Sequence, residues 1–190
     1  MSKSRSLLKE FITRVLLERP RDSKKLRVFD FDDTLVKTGS MIHVTDGSGR
    51  KFDLTPGQYA VYEPRPDDDF DYSDFAVLID PREIVWTVRI LRNIIRAGGE
   101  AVILTARRHD TPVYQFLEDA GLPPIEVIAL ASSDPLKKAD YIEKRIVEDG
   151  FEFVEFFDDS PKNVEAVESL NGKYPGVKIV SRHIVHREDV

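Results

Sequence analysis

The chain has 190 residues, of which 41% are hydrophobic and 33% are charged, a composition typical of one globular domain. It contains no cysteine, which excludes disulfides, thiolate metal sites and cysteine nucleophiles and fits a reducing cytoplasm. The net charge is −6, whereas proteins that hold long nucleic-acid duplexes are usually basic. No apolar run approaches the length of a membrane span. These features predict a single cytoplasmic domain over residues 1–190 that does not contact a membrane.

The first predicted element is an amphipathic helix over residues 5–19. Its apolar side chains recur on one helical face, and Pro20 ends the segment. The residues of this face are Leu7, Leu8, Phe11, Ile12, Val15 and Leu16. We expect the helix to pack against the flank of the domain.

The next segment, residues 26–31, has the apolar and aromatic pattern of a short buried strand. Three acids mark its carboxyl end, at Asp30, Asp32 and Asp33. Because side chains alternate along a strand, we expect Asp30 and Asp32 to point the same way. Crowded carboxylates at a buried strand end cost free energy unless a cation or a reaction requires them. The carboxyl ends of strands are also where open α/β sheets bind ligands.

An insertion of different texture covers about residues 36–80. A Gly-rich turn divides residues 41–54 into a predicted hairpin, and Thr55 and Pro56 open a predicted short helix. Residues 70–75 alternate aromatic and acidic side chains. We expect this insertion over the carboxyl end of the first strand, as a lid or flap that contacts substrate or as a purely structural elaboration.

From residue 81 onward, predicted helices and strands alternate regularly. The helices cover residues 81–97, 111–120, 135–148 and 161–170, and the strands cover 100–105, 125–130, 151–157 and 177–180. This alternation predicts an α/β fold of the doubly wound, three-layer Rossmann-like type with a central parallel sheet.

Three later stretches place polar residues at predicted strand ends or helix starts. Thr105 ends the second of the core strands, Lys137 and Lys138 lie near a helix start, and Asp158 and Asp159 follow an aromatic strand. The first two have an ordinary structural explanation, since a threonine hydroxyl often caps the next turn and a lone lysine is usually solvated.

Together with residues 30–35, these stretches resemble, in order, the four motifs of the haloacid dehalogenase-like phosphatases. The first motif reads Asp30-Phe-Asp-Asp-Thr-Leu, and the resemblance covers about residues 26–181. It implies that Asp30 is the nucleophile that forms a phospho-aspartate. It also implies that Asp32 first protonates the leaving group and then acts as a general base toward water.

The same resemblance assigns the remaining roles. Thr105 and Lys138 would hold the transferring phosphoryl group, with Lys137 as the alternative lysine. A magnesium ion would be bound by Asp30, by the main-chain carbonyl of Asp32 and by Asp158, with Asp159 in support.

Residues Thr105, Ala106 and Arg107 bear on the substrate. They resemble the Thr-Gly-Arg of polynucleotide kinase-phosphatases and RNA-repair phosphatases, with Ala106 in place of glycine. The guanidinium fork of Arg107 matches phosphate oxygens, so we expect it to act as a phosphate clamp. With Lys138, these three residues form the predicted substrate-binding set.

We therefore expect a magnesium-dependent phosphomonoester hydrolase that acts on a nucleic-acid end bearing a 3′-phosphate or on a nucleotide. A small-metabolite phosphatase, a phosphomutase and an inactive binding module of the same fold remain alternatives. The oligomeric state is not predicted.

Overall fold

The computed structural model describes residues 23–185, so the predicted helix at 5–19 and the last five residues lie outside the described part. Within residues 23–185 the strands are β1 (Lys25–Phe29), β2 (Val36–Lys37), β3 (Ile42–Thr45), β4 (Lys51–Leu54), β5 (Asp69–Asp71), β6 (Arg82–Glu83), β7 (Glu100–Thr105), β8 (Glu126–Ala129), β9 (Phe153–Asp158) and β10 (Lys178–His183). The α-helices are α1 (Pro56–Val61), α2 (Val85–Arg96), α3 (Thr111–Asp119), α4 (Pro135–Asp149), α5 (Pro161–Glu168) and α6 (Leu170–Lys173), and a 3-10 turn covers Ser73–Ala76.

Five of these strands form a central sheet in the order β10-β9-β1-β7-β8, with every neighbouring pair parallel. The prediction of an α/β fold with a central parallel sheet is therefore confirmed. Phe29 of β1 lies beside Ile103 of β7 and Phe157 of β9. Because this register aligns the strand ends, the residues that follow β1, β7 and β9 meet at one edge of the sheet.

Helices cover both faces of the sheet and enclose two apolar clusters. Buried side chains of α2 and α3 pack on one face, and those of α4 and α5 pack on the other. Phe29 stacks on Phe157 with ring centroids 4.4 Å apart. Burial of both faces explains why the core strands are nearly continuous apolar runs. Among the helices of residues 23–185, none has the length and apolar character needed to cross a membrane.

Several predicted element bounds differ from the structure, among them the three described here. The helix predicted over 81–97 begins at Val85, because Arg82–Glu83 pairs with β2. The helix predicted over 161–170 ends at Glu168 and is followed by a separate short helix. The last strand does not end at residue 180 but continues to His183, because the main chain keeps pairing with β9 although the side chains are polar.

The insertion has two small antiparallel sheets of its own. One pairs β2 with β6, and the other places β3 between β4 and β5. The hairpin and the capped helix both form as predicted, and Thr55 makes a reciprocal capping box with Gln58. The third strand, β5, was not predicted.

Candidate functional site

Three acids cluster where β1 and β9 end. Asp30 follows β1, Asp158 ends β9 and Asp159 follows it, and each offers an oxygen within 4.8 Å of the oxygens of the other two. Asp30 and Asp158 are buried. Buried carboxylates this close repel each other strongly unless protons or cations offset their charge.

Lys138 supplies one positive charge to this cluster. Its Nζ donates hydrogen bonds to Asp30 Oδ1 at 2.5 Å and to Asp158 Oδ2 at 2.7 Å. The lysine lies in the first turns of α4, whose start is fixed by the Asp134 side chain accepting the Leu136 N–H. Of the two lysines that the sequence left open, the structure brings Lys138 to the acids, while Lys137 is exposed.

The titration of these groups reflects their burial. Burial raises the pKa of Asp30 to about 7, with Asp158 acting in the same direction and Lys138 opposing. Burial, followed by Asp30 and Asp158, holds the pKa of Asp159 well above its ordinary value. Burial lowers the pKa of Lys138, but Asp158 and Asp30 outweigh it and leave that pKa above its usual range. One lysine against three acids leaves an excess of negative charge that a proton or a further cation can neutralise.

Asp158 is held by two residues at the start of the following helix. The main-chain N–H of Ser160 donates to its Oδ1 at 2.9 Å. The Asn163 amide donates to Oδ1 at 2.9 Å and to Oδ2 at 3.1 Å. A carboxylate fixed in this way keeps its orientation whether or not a ligand is present.

Asp32 faces a different partner. Its carboxylate accepts two hydrogen bonds from Arg107, at 2.8 Å from Nη2 and 2.9 Å from Nε. The strand-alternation argument does not apply, because β1 ends at Phe29 and the chain then turns, with the Leu35 N–H donating to the Phe31 carbonyl. The Asp32 side chain is therefore not part of the three-acid cluster. Of this residue, only the main-chain carbonyl is left for the metal role that the resemblance implied.

Arg107 has a different environment from the one expected for a phosphate clamp. Besides its fork to Asp32, its Nη1 donates to the main-chain oxygens of Phe75 at 2.8 Å and Val77 at 3.0 Å. The residue is buried, and its guanidinium already has protein acceptors. We therefore replace the clamp interpretation with one in which Arg107 contacts Asp32 and the insertion.

The other two members of the predicted substrate-binding set lie beside it. Thr105 is buried, and its hydroxyl accepts the Arg107 N–H at 3.2 Å, the turn contact that such a threonine commonly makes. That hydroxyl still has a hydrogen to donate. Ala106 is exposed and lines the neighbouring cavity.

A cavity of about 850 Å³ lies next to the acid cluster, between the sheet and the insertion. Asp30, Asp32, Asp159 and Lys138 line it on the sheet side. The insertion contributes what we call the aromatic wall, which consists of Tyr59, Tyr62, Phe70 and Tyr72. The basic side chains of Arg108, His109 and Lys162 also line the cavity.

The aromatic wall is a packed group of rings. Tyr59 meets Phe70 and Tyr72 edge-on, with centroids 5.6 and 5.8 Å apart. Phe70 and Tyr72 lie nearly parallel, 6.2 Å apart at 22°. Tyr72 remains 43% exposed, so part of its surface is available to a ligand. The sequence signal was the alternation over residues 70–75, which showed aromatics but not the direction in which they face.

Side-chain contacts join the insertion to the rest of the domain around the cavity. The Tyr59 hydroxyl forms hydrogen bonds with the hydroxyls of Ser133, at 3.0 Å, and Tyr72, at 2.7 Å. Lys162 donates to the Tyr62 carbonyl at 3.0 Å. The insertion thus covers one side of the site, and sequence reasoning did not identify these contacts because none belongs to a motif.

No family model matches the chain, and no curated protein matches it. A crystal structure of the hypothetical protein XCC2798 from Xanthomonas campestris resembles it with a TM-score of 0.42 and 18% sequence identity, over 91% of this chain and 75% of that one. A resemblance this weak carries no argument about function.

Proposed function

We propose that the protein is a magnesium-dependent phosphomonoester hydrolase of the haloacid dehalogenase type, acting through a phospho-aspartate. The observation that carries the proposal is the buried Asp30 at the carboxyl end of β1, hydrogen-bonded to Lys138 and beside Asp158 and Asp159. The geometry brings together residues from three of the four motifs through which the sequence resembles that class. Asp32, from the first motif, lies on the same cavity.

The donor set fits magnesium. Asp30, Asp158 and Asp159 offer only carboxylate oxygens, which are the ligands that a hard divalent cation prefers. Asp158 is oriented by Ser160 and Asn163, and the main-chain carbonyl of Asp32 is the remaining proposed ligand. When bound, the ion would offset the charge of the acids and of the substrate phosphate.

The first proposed step transfers the phosphoryl group to Asp30. A carboxylate oxygen of Asp30 forms a bond to phosphorus as the bond from phosphorus to the ester oxygen breaks. Asp32 gives its proton to that departing oxygen, so that an alcohol leaves. Lys138 and the Thr105 hydroxyl stabilise the charge on the remaining phosphoryl oxygens, because positioning and charge stabilisation dominate phosphoryl transfer.

The second step regenerates the enzyme. Asp32, now ionised, takes a proton from a water molecule as the water oxygen attacks phosphorus. The bond between phosphorus and Asp30 then breaks, inorganic phosphate leaves, and both aspartates return to their starting states.

The aromatic wall favours a substrate with a planar group, which agrees with the proposal of a nucleotide or a nucleic-acid end bearing a 3′-phosphate. Stacking of a base on an aromatic side chain contributes about 1–3 kcal/mol. Arg108 and Lys162 line the same cavity and offer positive charge to neighbouring phosphates. These local charges act on a strand end even though the whole chain carries a net charge of −6.

A small-metabolite phosphatase or a phosphomutase is the second candidate. The observation that favours it is that the insertion is tied to the rest of the domain beside the cavity, since Tyr59 forms a hydrogen bond with Ser133 and both residues line the cavity. A cavity of about 850 Å³ also suits a small ligand.

Phosphate release from a panel of substrates tests the proposal. The panel contains oligonucleotides with 3′- or 5′-phosphates, nucleoside monophosphates and sugar phosphates, each with magnesium or with a chelator, and Asp30→Asn is the blank. We expect magnesium-dependent release that the blank abolishes, with preference for the base-bearing esters.

Preference for sugar phosphates would favour the second candidate, a phosphatase or mutase of small metabolites, and would contradict the nucleic-acid proposal. Full activity of Asp30→Asn would contradict the phospho-aspartate mechanism. Binding of a phosphate ester without turnover, in the presence of magnesium, would indicate an inactive binding module.

A further inference from the structure

We infer that Arg107 is a positioning residue for Asp32, and that the segment Phe75 to Val77 of the insertion holds Arg107 in place. The inference rests on the proposed function, because it concerns how the acid of that reaction is oriented. Arg107 would then affect proton transfer to the departing alcohol oxygen, through Asp32, and would not bind the transferring phosphate.

Arg107 holds Asp32 through a bidentate fork of two hydrogen bonds. Arg107 Nε and Nη2 donate to the two carboxylate oxygens of Asp32 at 2.9 and 2.8 Å. A bidentate pair of this kind fixes both the position and the plane of the carboxylate. Asp32 lies in a turn and not within β1, so the strand itself does not set the direction of its side chain.

Most of the hydrogen-bond donors of Arg107 are already used within the protein. A guanidinium has five N–H groups, and four hydrogen bonds to Asp32, Phe75 and Val77 account for four of them within residues 23–185. Its side chain is only 1% exposed. Arg107 would have to break these bonds to offer a fork to a phosphate.

Two aromatic rings lie close to the Arg107 guanidinium. The guanidinium lies 5.3 Å from the ring centroid of Phe31 and 5.1 Å from that of Phe75. Phe31 follows β1 and Phe75 belongs to the insertion, so the arginine is enclosed by both parts of the site. Cation–π contacts of a desolvated arginine add to its stability in this position.

The effect of losing the Arg107 contacts should depend on the leaving group of the substrate. A proton from Asp32 matters greatly when the departing oxygen is a poor leaving group, and little when it leaves readily as an anion. Misorienting Asp32 should therefore slow the hydrolysis of an alkyl phosphate far more than that of 2,4-dinitrophenyl phosphate. A residue that clamps the phosphate would affect both substrates alike.

The experiment compares kcat/KM for a nucleoside 3′-monophosphate and for 2,4-dinitrophenyl phosphate, because kcat/KM reports the step in which the leaving group departs. The variants are Arg107→Ala, Arg107→Lys and Asp32→Asn. The matched control is Arg92→Ala, which removes a partly buried arginine that donates to the Ala120 carbonyl, away from the cavity.

We expect Arg107→Ala to lower kcat/KM for the nucleotide by about 100-fold, within the usual contribution of general acid catalysis, and for dinitrophenyl phosphate by less than about fivefold. Arg107→Lys should resemble Arg107→Ala, because one ammonium cannot reproduce the fork and the two carbonyl contacts. Arg92→Ala should leave both values unchanged. In the Asp32→Asn background, removing Arg107 should cost little more, because the two residues act as a unit.

Equal losses on both substrates in the Arg107 variants would overturn the inference, and so would full additivity with Asp32→Asn. Retained turnover of dinitrophenyl phosphate shows by itself that a variant is folded. The proposed function fails separately, if Asp30→Asn hydrolyses dinitrophenyl phosphate as well as the unaltered protein. In that case the inference fails with it.

Discussion

Lys138 is a buried cation that forms ion pairs with two buried acids. It stands between Asp30 and Asp158, where it offsets part of their repulsion and where a transferring phosphoryl group would replace one of them as its partner. Its neighbour Lys137 has the same chemistry but is exposed on α4. The pair therefore provides a variant and its matched control on one helix turn.

We expect Lys138→Ala to lower kcat for phosphate release by about 100-fold or more, the usual cost of removing one group that stabilises developing charge. Lys137→Ala should retain full activity. Steady-state phosphate release with magnesium measures both. If Lys137→Ala proved to be the damaging change, the assignment of the motif lysine would be reversed.

Asn163 donates two hydrogen bonds to Asp158, one of the proposed metal ligands. We expect Asn163→Ala to weaken magnesium affinity by about 10- to 100-fold, the usual cost of losing a partner of a ligand. The magnesium dependence of phosphate release measures this. Asn171→Ala removes an asparagine that bonds main-chain oxygens around α6 and should leave the affinity unchanged. Equal affinities in the two variants would contradict a role for Asn163.

The parallel sheet and, within the insertion, the hairpin and the short helix were predictable from the sequence because their signals are local. Apolar strand patterns and the capping residue Thr55 depend on near neighbours alone. The cluster at Asp30 was also predictable, since parallel strands align their carboxyl ends. The contacts of Arg107 were not, because main-chain oxygens of Phe75 and Val77 accept from it, and such acceptors leave no mark in the side-chain pattern.

We expect the aromatic wall of the insertion to favour substrates that carry a base, through stacking. We expect Tyr72→Leu, which keeps bulk but loses the planar face, to raise KM about tenfold for nucleotides and oligonucleotide ends, since base stacking contributes about 1–3 kcal/mol. KM for glycerol phosphate should not change. Tyr114→Leu, at an exposed tyrosine of α3, is the control. A parallel rise for glycerol phosphate would mean that the variant had disturbed the site and not a stacking surface.

The raised pKa values of Asp30 and Asp159 couple the folding of the domain to pH. An acid whose pKa is higher in the folded state than in the unfolded state binds a proton more tightly when folded. The free energy of unfolding then decreases as pH rises between the two pKa values. Burial places the pKa of Asp30 at about 7, against an ordinary value of 3.8, so its contribution to metal-free stability is lost across that interval.

Magnesium should reverse this loss, because it replaces the proton at the acids. We expect the increase in Tm caused by magnesium, measured against a chelator, to be larger at pH 8 than at pH 5.5. At a concentration about 100 times Kd the stabilisation is about 2.7 kcal/mol, which corresponds to about 5–10 °C for a chain of this size. Asp30→Asn should reduce the shift at pH 8 and most of its pH dependence. An equal shift at both pH values would mean that magnesium does not displace a proton from these acids, and the three-carboxylate cluster would then not be its site.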